Sequence, residues 1–345
     1  MKKMRKMLAG LSAMVMVVGL LTACGGGGSD TDSGSKSDGD SGSNGGSSKL
    51  TLIMSQRDEW LGEMEQAAVK EAKEMGISLN TVDAQSDTSK MLQFIESAKN
   101  DGQKAVIINM VDPETAEQCV EAAGDMYVVF VNRYPSDDSV LNEKVVYVGS
   151  DENTSGYFQG EWLAEHFKAE GKTEFSYILL NGILGQTSTT LRTESLLKGL
   201  EDNGVKGVEA TAPLAAEYQR ENAQDMIAPL LKTAKYDAII SNNDAMALGA
   251  IEAMIDQGID PTTVPIVGID ASLDGRQAVK DGTLDMTVFQ DPKGQGKGAL
   301  IAAKNLINGS AINDGTDWEL DETGNILWIP FEPVTIDNVD EYDNR

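Results

Sequence analysis

The chain has 345 residues, with 28 Lys and Arg against 55 Asp and Glu and a formal net charge of −27. A surface this acidic repels phosphate backbones and anionic headgroups, which argues against nucleic acid as a partner. One histidine and two cysteines leave no basis for a disulfide scaffold or a His/Cys zinc site, while a 41% hydrophobic fraction is that of a globular protein.

Lys2, Lys3, Arg5 and Lys6 precede an uncharged run from Met7 to Ala23 that ends in small residues. Seventeen apolar and small residues are short for a bilayer span and fit a secretory signal. Leu21-Thr22-Ala23-Cys24 resembles the lipobox of bacterial lipoproteins. That resemblance implies cleavage after residue 23, lipidation at Cys24 and anchoring on the extracytoplasmic face of the bacterial cell membrane. Residues 24–48 then form a Gly/Ser/Asp linker with nothing apolar to bury, a tether reaching roughly 25–30 Å. Cys119 is left alone in a helical pattern and reads as a small buried hydrophobe.

From residue 49 onward short apolar runs alternate with amphipathic stretches. Strands are expected at Leu50–Met54, Ile77–Asp83, Ala105–Met110, Tyr127–Asn132 and Val145–Gly149. Five more follow at Phe175–Leu180, Gly207–Ala212, Ala238–Ser241, Ile266–Ile269 and Met286–Phe289. Helical patterns lie between them, several closed by a glycine such as Gly282 or Gly309. Strict alternation predicts α/β architecture with parallel sheets covered on both faces. The pattern restarts near Val145, which predicts two Rossmann-like, doubly wound lobes.

In such sheets ligands bind beyond the carboxyl ends of the strands. Those positions hold Asp58 and Trp60, Asn109, Asn132-Arg133, Asn181 with Gln186, Ser188 and Arg192 beyond it, Asn242-Asn243-Asp244, Asp270, and Gln290-Asp291. Carboxylates, amides and a guanidinium grip vicinal hydroxyls in pairs, and an aromatic face covers the C–H face of a sugar ring. Asx residues after strands also serve as turn formers and helix caps. The repetition of this chemistry at strand end after strand end, beside a Trp and an Arg, favours binding.

Residues 50–336 resemble the type I periplasmic sugar-binding proteins, and among them the galactose/glucose-binding members. The resemblance is carried by Ile108-Asn109-Met110-Val111-Asp112-Pro113, Val129-Phe130-Val131-Asn132, Tyr147-Val148-Gly149-Ser150-Asp151, the long block from Asn242 through Ala253, Val267-Gly268-Ile269-Asp270-Ala271 and Asp314-Gly315-Thr316-Asp317-Trp318. It implies two lobes joined by a three-segment hinge, with crossings near Asn132–Arg133, Gln290–Asp291 and Pro330–Phe331. The lobes would comprise residues 49–132 with 291–330 and residues 133–290 with 331–345. The final stretch, Ile326–Pro330 then Val334–Tyr342, would lead back to the second lobe.

The same resemblance places a monosaccharide, galactose or glucose first, against Asp58, Trp60, Asn109, Arg192, Asn243 and Asp270, with Gln290 where the family has Asn. Tyr218 stands where a second stacking aromatic is expected, with Glu217 the competing alignment. Gln186 and Ser188 occupy positions where the family has His and Asp, so a pentose or substituted hexose stays an alternative. The family's calcium loop is replaced by Glu165-His166-Phe167-Lys168-Ala169-Glu170-Gly171-Lys172-Thr173, and neither metal nor cofactor is expected. The implied role is the monomeric substrate-binding lipoprotein of an ABC importer, with its permease and ATPase subunit as partners; a sensor receptor is the alternative partner. A repressor would need a helix-turn-helix headpiece where the signal and linker stand. An enzyme would need more than Asp58 and Asp270 as a carboxylate couple, since no G-x-S-x-G and no His partner are present.

Overall fold

The computed structural model describes residues 49–343 and residue 345. The expected signal segment, the expected lipidation site Cys24 and the expected linker lie outside them.

The strands are β1 (Lys49–Met54), β2 (Ser78–Asp83), β3 (Ala105–Ile108), β4 (Tyr127–Val131), β5 (Val145–Gly149), β6 (Glu174–Asn181), β7 (Lys206–Glu209), β8 (Leu214–Ala215), β9 (Ala238–Ser241), β10 (Ile266–Val267), β11 (Met286–Gln290), β12 (Ile326–Trp328) and β13 (Phe331–Thr335). The helices are α1 (Glu59–Glu74), α2 (Thr88–Asn100), α3 (Ala116–Ala123), α4 (Glu152–Ala169), α5 (Thr187–Asp202), α6 (Arg220–Ile227), α7 (Asp244–Asp256), α8 (Leu273–Asp281) and α9 (Pro292–Asn308).

Two sheets result. The first runs β12-β5-β4-β3-β1-β2 and is parallel throughout. The second runs β13-β11-β10-β9-β6-β7, with β8 also paired to β6 and only β13 antiparallel. The sequences explain the placement. β3 reads AVII and β5 reads VVYVG, continuous apolar runs whose residues are all buried because helices cover both faces. β2, at an edge, reads SLNTVD and has no fully buried residue.

Helices α1 and α9 close one face of the first sheet through Leu52, Met64, Ala68, Leu300 and Ala303, and α2 and α3 close the other through Ile53, Met91, Ile95 and Phe130. Cys119 is packed in this second layer, and burial pushes its thiol up to about 12. In the second lobe Leu163, Phe167 and Leu196 fill one layer and Ile227, Met246 and Met254 the other. The glycines that open α9 serve close packing. A Cβ at Gly296 would lie 2.7 Å from the Met64 carbonyl of α1.

One expectation about the lobes needs correction. The first crossing between lobes does not fall at Asn132–Arg133. β5 returns to the first sheet beside β4, Val128 opposite Val145 and Val131 opposite Val148, so the chain crosses only after Gly149. Parallel neighbours usually need a helical crossover, and here residues 132–144 make the connection with one short turn at Asp138–Val140. That helix-free connection read as a link between lobes. Ile326–Trp328 lies in the first sheet, with Ile326 opposite Tyr147, and β13 follows in the second. Helix α6 ends at Ile227, because Pro229 cannot continue the hydrogen-bond ladder. The remaining crossings follow β11, after which α9 packs on the first lobe, and separate β12 from β13.

Candidate functional site

The carboxyl ends of both sheets converge on a cavity of about 360 Å³. From the first lobe come Asp58 and Trp60; from the second, Gln186, Ser188, Arg192, Tyr218, Asn243 and Asp270; Gln290 ends β11 at the second crossing.

Asp58 caps α1. Its Oδ1 accepts from the Leu61 amide at 2.8 Å and its Oδ2 from Gln56 Nε2 at 3.1 Å. Capping and lining are therefore one placement, since the residue that starts the helix also ends the strand loop. Trp60 sits in the first turn, where its Nε1 donates to the Gln290 carbonyl at 3.1 Å. This bond ties the indole of one lobe to the hinge strand of the other. Asn243 caps α7, with Oδ1 accepting from the Met246 amide at 3.0 Å.

Ser188 and Arg192 are four residues apart on α5 and so share a helix face, with Gln186 at the cap position. Arg192 is buried and most of its donors are spent. Nε and Nη2 form a fork to Glu152 at 2.7 and 2.9 Å. Nη1 donates to the Asn242 carbonyl at 2.7 Å, and Nη2 also reaches Gln290 Oε1 at 3.4 Å. Asp270 Oδ1 stands 3.8 Å from Nη1. One Nη1 hydrogen of the five donors is thus left for a guest. Burial pulls this guanidinium down, and the charge and hydrogen bonds of Glu152 more than offset that, so it stays cationic.

Tyr218, not Glu217, lines the cavity. Its hydroxyl pairs with Ser188 Oγ at 3.0 Å and Thr189 Oγ1 at 2.8 Å, and its ring lies against Gly182, where a Cβ would strike it. Trp60 and Tyr218 therefore supply one aromatic wall from each lobe. The two-residue strand β8 aligns Leu214 and Ala215 with Leu180 and Asn181 and so delivers Tyr218.

Non-glycine residues in the left-handed region cluster at this wall: Asn132 at φ 67°, Tyr218 at 62° and Asp270 at 121°. Such backbone persists only when surrounding contacts over-determine it, and it gathers at ligand clamps. Burial drives the Asp270 carboxyl well above the ordinary range; Arg192 opposes this, and Asp244, Asp58 and Glu152 reinforce it. Gln290 is 3% exposed, and its Nε2 has no partner, so a buried donor faces a cavity that can hold an acceptor.

The structure does not bring Asn109 to the wall. It is fully buried, its Oδ1 accepting from Ser55 Oγ at 2.6 Å and its Nδ2 donating to the Val131 carbonyl at 3.2 Å. Its amide is consumed in joining the ends of β1, β3 and β4. Sequence reasoning missed Glu59, Glu152 and Arg220 at the wall; Asn132 and Arg133, which it named only as strand-end residues, line the cavity as well. Glu152 was findable, because it follows the end of β5 by three positions. Arg133 donates to the Met110 and Val111 carbonyls at 2.9 Å, and Arg220 to Asp274 at 2.9 Å. Desolvation lowers the Arg133 guanidinium, against an upward pull from Asp58.

His166 stacks on Trp162, 5.2 Å between centroids, and faces Glu170, the C-cap of the same helix, away from the cavity lining. Among the described residues no helix is long and apolar enough to cross a membrane.

A periplasmic binding protein domain model matches residues 51–311. The chain is 33% identical over 273 residues to a putative rhizopine-binding protein of Rhizobium meliloti, covering 78% of this chain and 84% of that one. It is 32% identical over 305 residues to the D-galactose/methyl-galactoside binding periplasmic protein MglB of Haemophilus influenzae, covering 84% and 90%. Among solved structures it superposes, at a TM-score of 0.73 and 29% identity, on an ABC transporter solute binding protein of Bacillus halodurans with bound myo-inositol, covering 87% of this chain and 99% of that one.

Proposed function

The chain belongs to the type I periplasmic binding protein family, and we propose that it captures a single-ring polyol of hexose size for an ABC importer, with D-galactose and D-glucose the first candidates. The observation that carries this reading is a cavity between two lobes with an aromatic wall from each, ringed by carboxylates, amides and one free guanidinium hydrogen. Asp58 and Asp270 accept from hydroxyls, Arg192 and Gln290 donate to ring oxygens, and Trp60 and Tyr218 sandwich the ring. Closure brings these groups together from both lobes and excludes water, and the closed form is what a permease would meet. Cys24 would carry the lipid that keeps the protein at the membrane as a monomer.

A second reading has its own support. Ser188, where the family has Asp, pairs its hydroxyl with Tyr218, so this position offers a guest no charged acceptor. A cyclitol has no anomeric carbon and needs none, and the Bacillus halodurans neighbour holds myo-inositol. Isothermal titration calorimetry of the full-length chain with D-galactose, D-glucose, myo-inositol, D-ribose and D-xylose separates the readings. Saturable binding of a hexose or of myo-inositol supports the proposal and ranks the two. Binding of pentoses alone would reverse the size assignment.

A further inference from the structure

We propose that Asp244, which does not line the cavity, is the positioning residue for Asp270: its buried carboxylate holds the left-handed backbone that aims Asp270 at the guest. The inference rests on the reading of Asp270 as a ligand acceptor.

Asp270 at φ 121° and Ala271 at φ 47° are adjacent non-glycine residues in a sparsely populated region, so something must hold them. Asp244 does so twice. Its Oδ2 accepts from the Ser272 amide at 2.8 Å. Its Oδ1 accepts from Thr287 Oγ1 at 2.6 Å, and that same oxygen accepts from the Ala271 amide at 3.1 Å. Arg276 Nη1 grips the Ala271 carbonyl from the other side. The pocket is built around a carboxylate. Asp244 is fully buried, and Gly268 and Gly275 press on its two oxygens where any Cβ would collide. It opens α7 and lies beneath Ser272, the cap of α8, so two helix N-termini favour its charge.

The arrangement brings two carboxylates into one dry region. Burial pushes the Asp244 carboxyl up to about 7, and Asp270 is raised as well. The charges facing the pair are Glu59 and Asp58 from the first lobe and Glu152, Arg192 and Arg276 from the second, with Thr287 and Ser272 as neutral partners. Lowering the pH through neutrality therefore adds a proton to the pair and withdraws an acceptor from the clamp or the guest.

The test uses the full-length chain with D-galactose and myo-inositol as probes, measured by calorimetry from pH 5.5 to 8.5. Wild-type affinity should fall as the pH drops, by up to about tenfold per pH unit for one linked proton. Asp244→Asn should bind about tenfold to a hundredfold more weakly at pH 8, the loss of one or two charge-assisted hydrogen bonds. Its pH midpoint should move to lower pH, since Asp270 no longer faces a second carboxylate. Thr287→Val should weaken binding and move the midpoint to higher pH, since Asp244 loses the hydrogen bond that holds its carboxyl down. An Asp244→Asn profile identical to wild type, or uniformly weaker with an unmoved midpoint, overturns the proposal, the latter being what a purely structural role gives. A carboxyl-carbon NMR titration of Asp270 in the ligand-free chain provides the second arm. If wild type binds neither probe the polyol reading fails, whereas a downward shift of the Asp270 midpoint in Asp244→Asn still supports the clamp and an unchanged midpoint still removes it.

Discussion

Replacing Glu152 with Gln should both destabilise the protein and weaken binding. The wild-type fork to Arg192 spans 2.7 and 2.9 Å between side chains 7% and 6% exposed. Gln keeps one acceptor but sets an amide N–H2 against a guanidinium N–H, leaving a buried cation with half its partner. Breaking a buried pair in this way costs about 3–5 kcal/mol. Asp270, 3.8 Å from Nη1, can turn toward the stranded guanidinium, which points to the lower end, near 3 kcal/mol. At about 2–4 °C per kcal/mol for a chain of this order of size, the melting temperature falls by roughly 10 °C. Asp270 is then diverted from the guest, so polyol affinity falls too. Differential scanning calorimetry of wild type and variant, with and without D-galactose or myo-inositol, reads both effects. A variant melting within 2 °C of wild type (roughly 0.5–1 kcal/mol on the same scale) would refute the view that this pair organises the site.

Other expectations are smaller in scope. Trp60→Ala removes one aromatic wall and should weaken polyol binding by about 2 kcal/mol, or ~30-fold in Kd; an unchanged Kd in calorimetry would place the ring elsewhere. Asp58→Asn should keep the melting temperature, because Asn caps a helix as well as Asp, while affinity drops ~10- to 100-fold with the lost charge-assisted acceptor. Equal affinity in a competition titration would confine Asp58 to capping. Gly182→Ala drives a methyl into the Tyr218 ring and should abolish binding with only a modest loss of melting temperature; tight binding by this variant would show that Tyr218 is not a wall. Asp244, Asp270 and Asp285 have carboxyls raised by burial, so folding favours their protonated forms. Their contribution is full below about pH 4 and is lost as the pH rises toward about 7. Glu65 and Glu332, lowered by Arg57 and Arg345, act oppositely and lose their contribution below the ordinary Glu range. The ligand-free chain should therefore melt higher near pH 5.5 than at pH 8, and a melting temperature that climbs steadily over that interval would contradict the burial of these groups.

The sequence made the strands legible wherever both faces are buried, since AVII in β3 and YVVFV in β4 admit few other readings. β8 has two residues and no period to detect, so the device that delivers Tyr218 was invisible. The lobe boundary was misplaced because β5 returns without a helix, and helices were the signal for staying in a lobe. At the site, strand-end chemistry pointed to Asp58, Asn243 and Asp270, which line the cavity, and at the first two the helix cap and the lining residue are one placement. Asn109 has the same local signal but ends a central strand, where neighbouring loops absorb its amide. Nothing in Asp270-Ala271 announces a left-handed turn, because the usual glycine is absent and the clamp lies in Asp244, Arg276 and Thr287.

The most direct measurement is a tryptophan-fluorescence titration of the full-length chain with D-galactose and myo-inositol, run beside Trp60→Phe and Asp270→Asn. The cavity account predicts a saturable change in wild type, loss of most of that signal with binding retained by calorimetry in Trp60→Phe, and loss of both in Asp270→Asn. A full wild-type response from Asp270→Asn would contradict it, because the guest would then bind without the group around which the second wall is built.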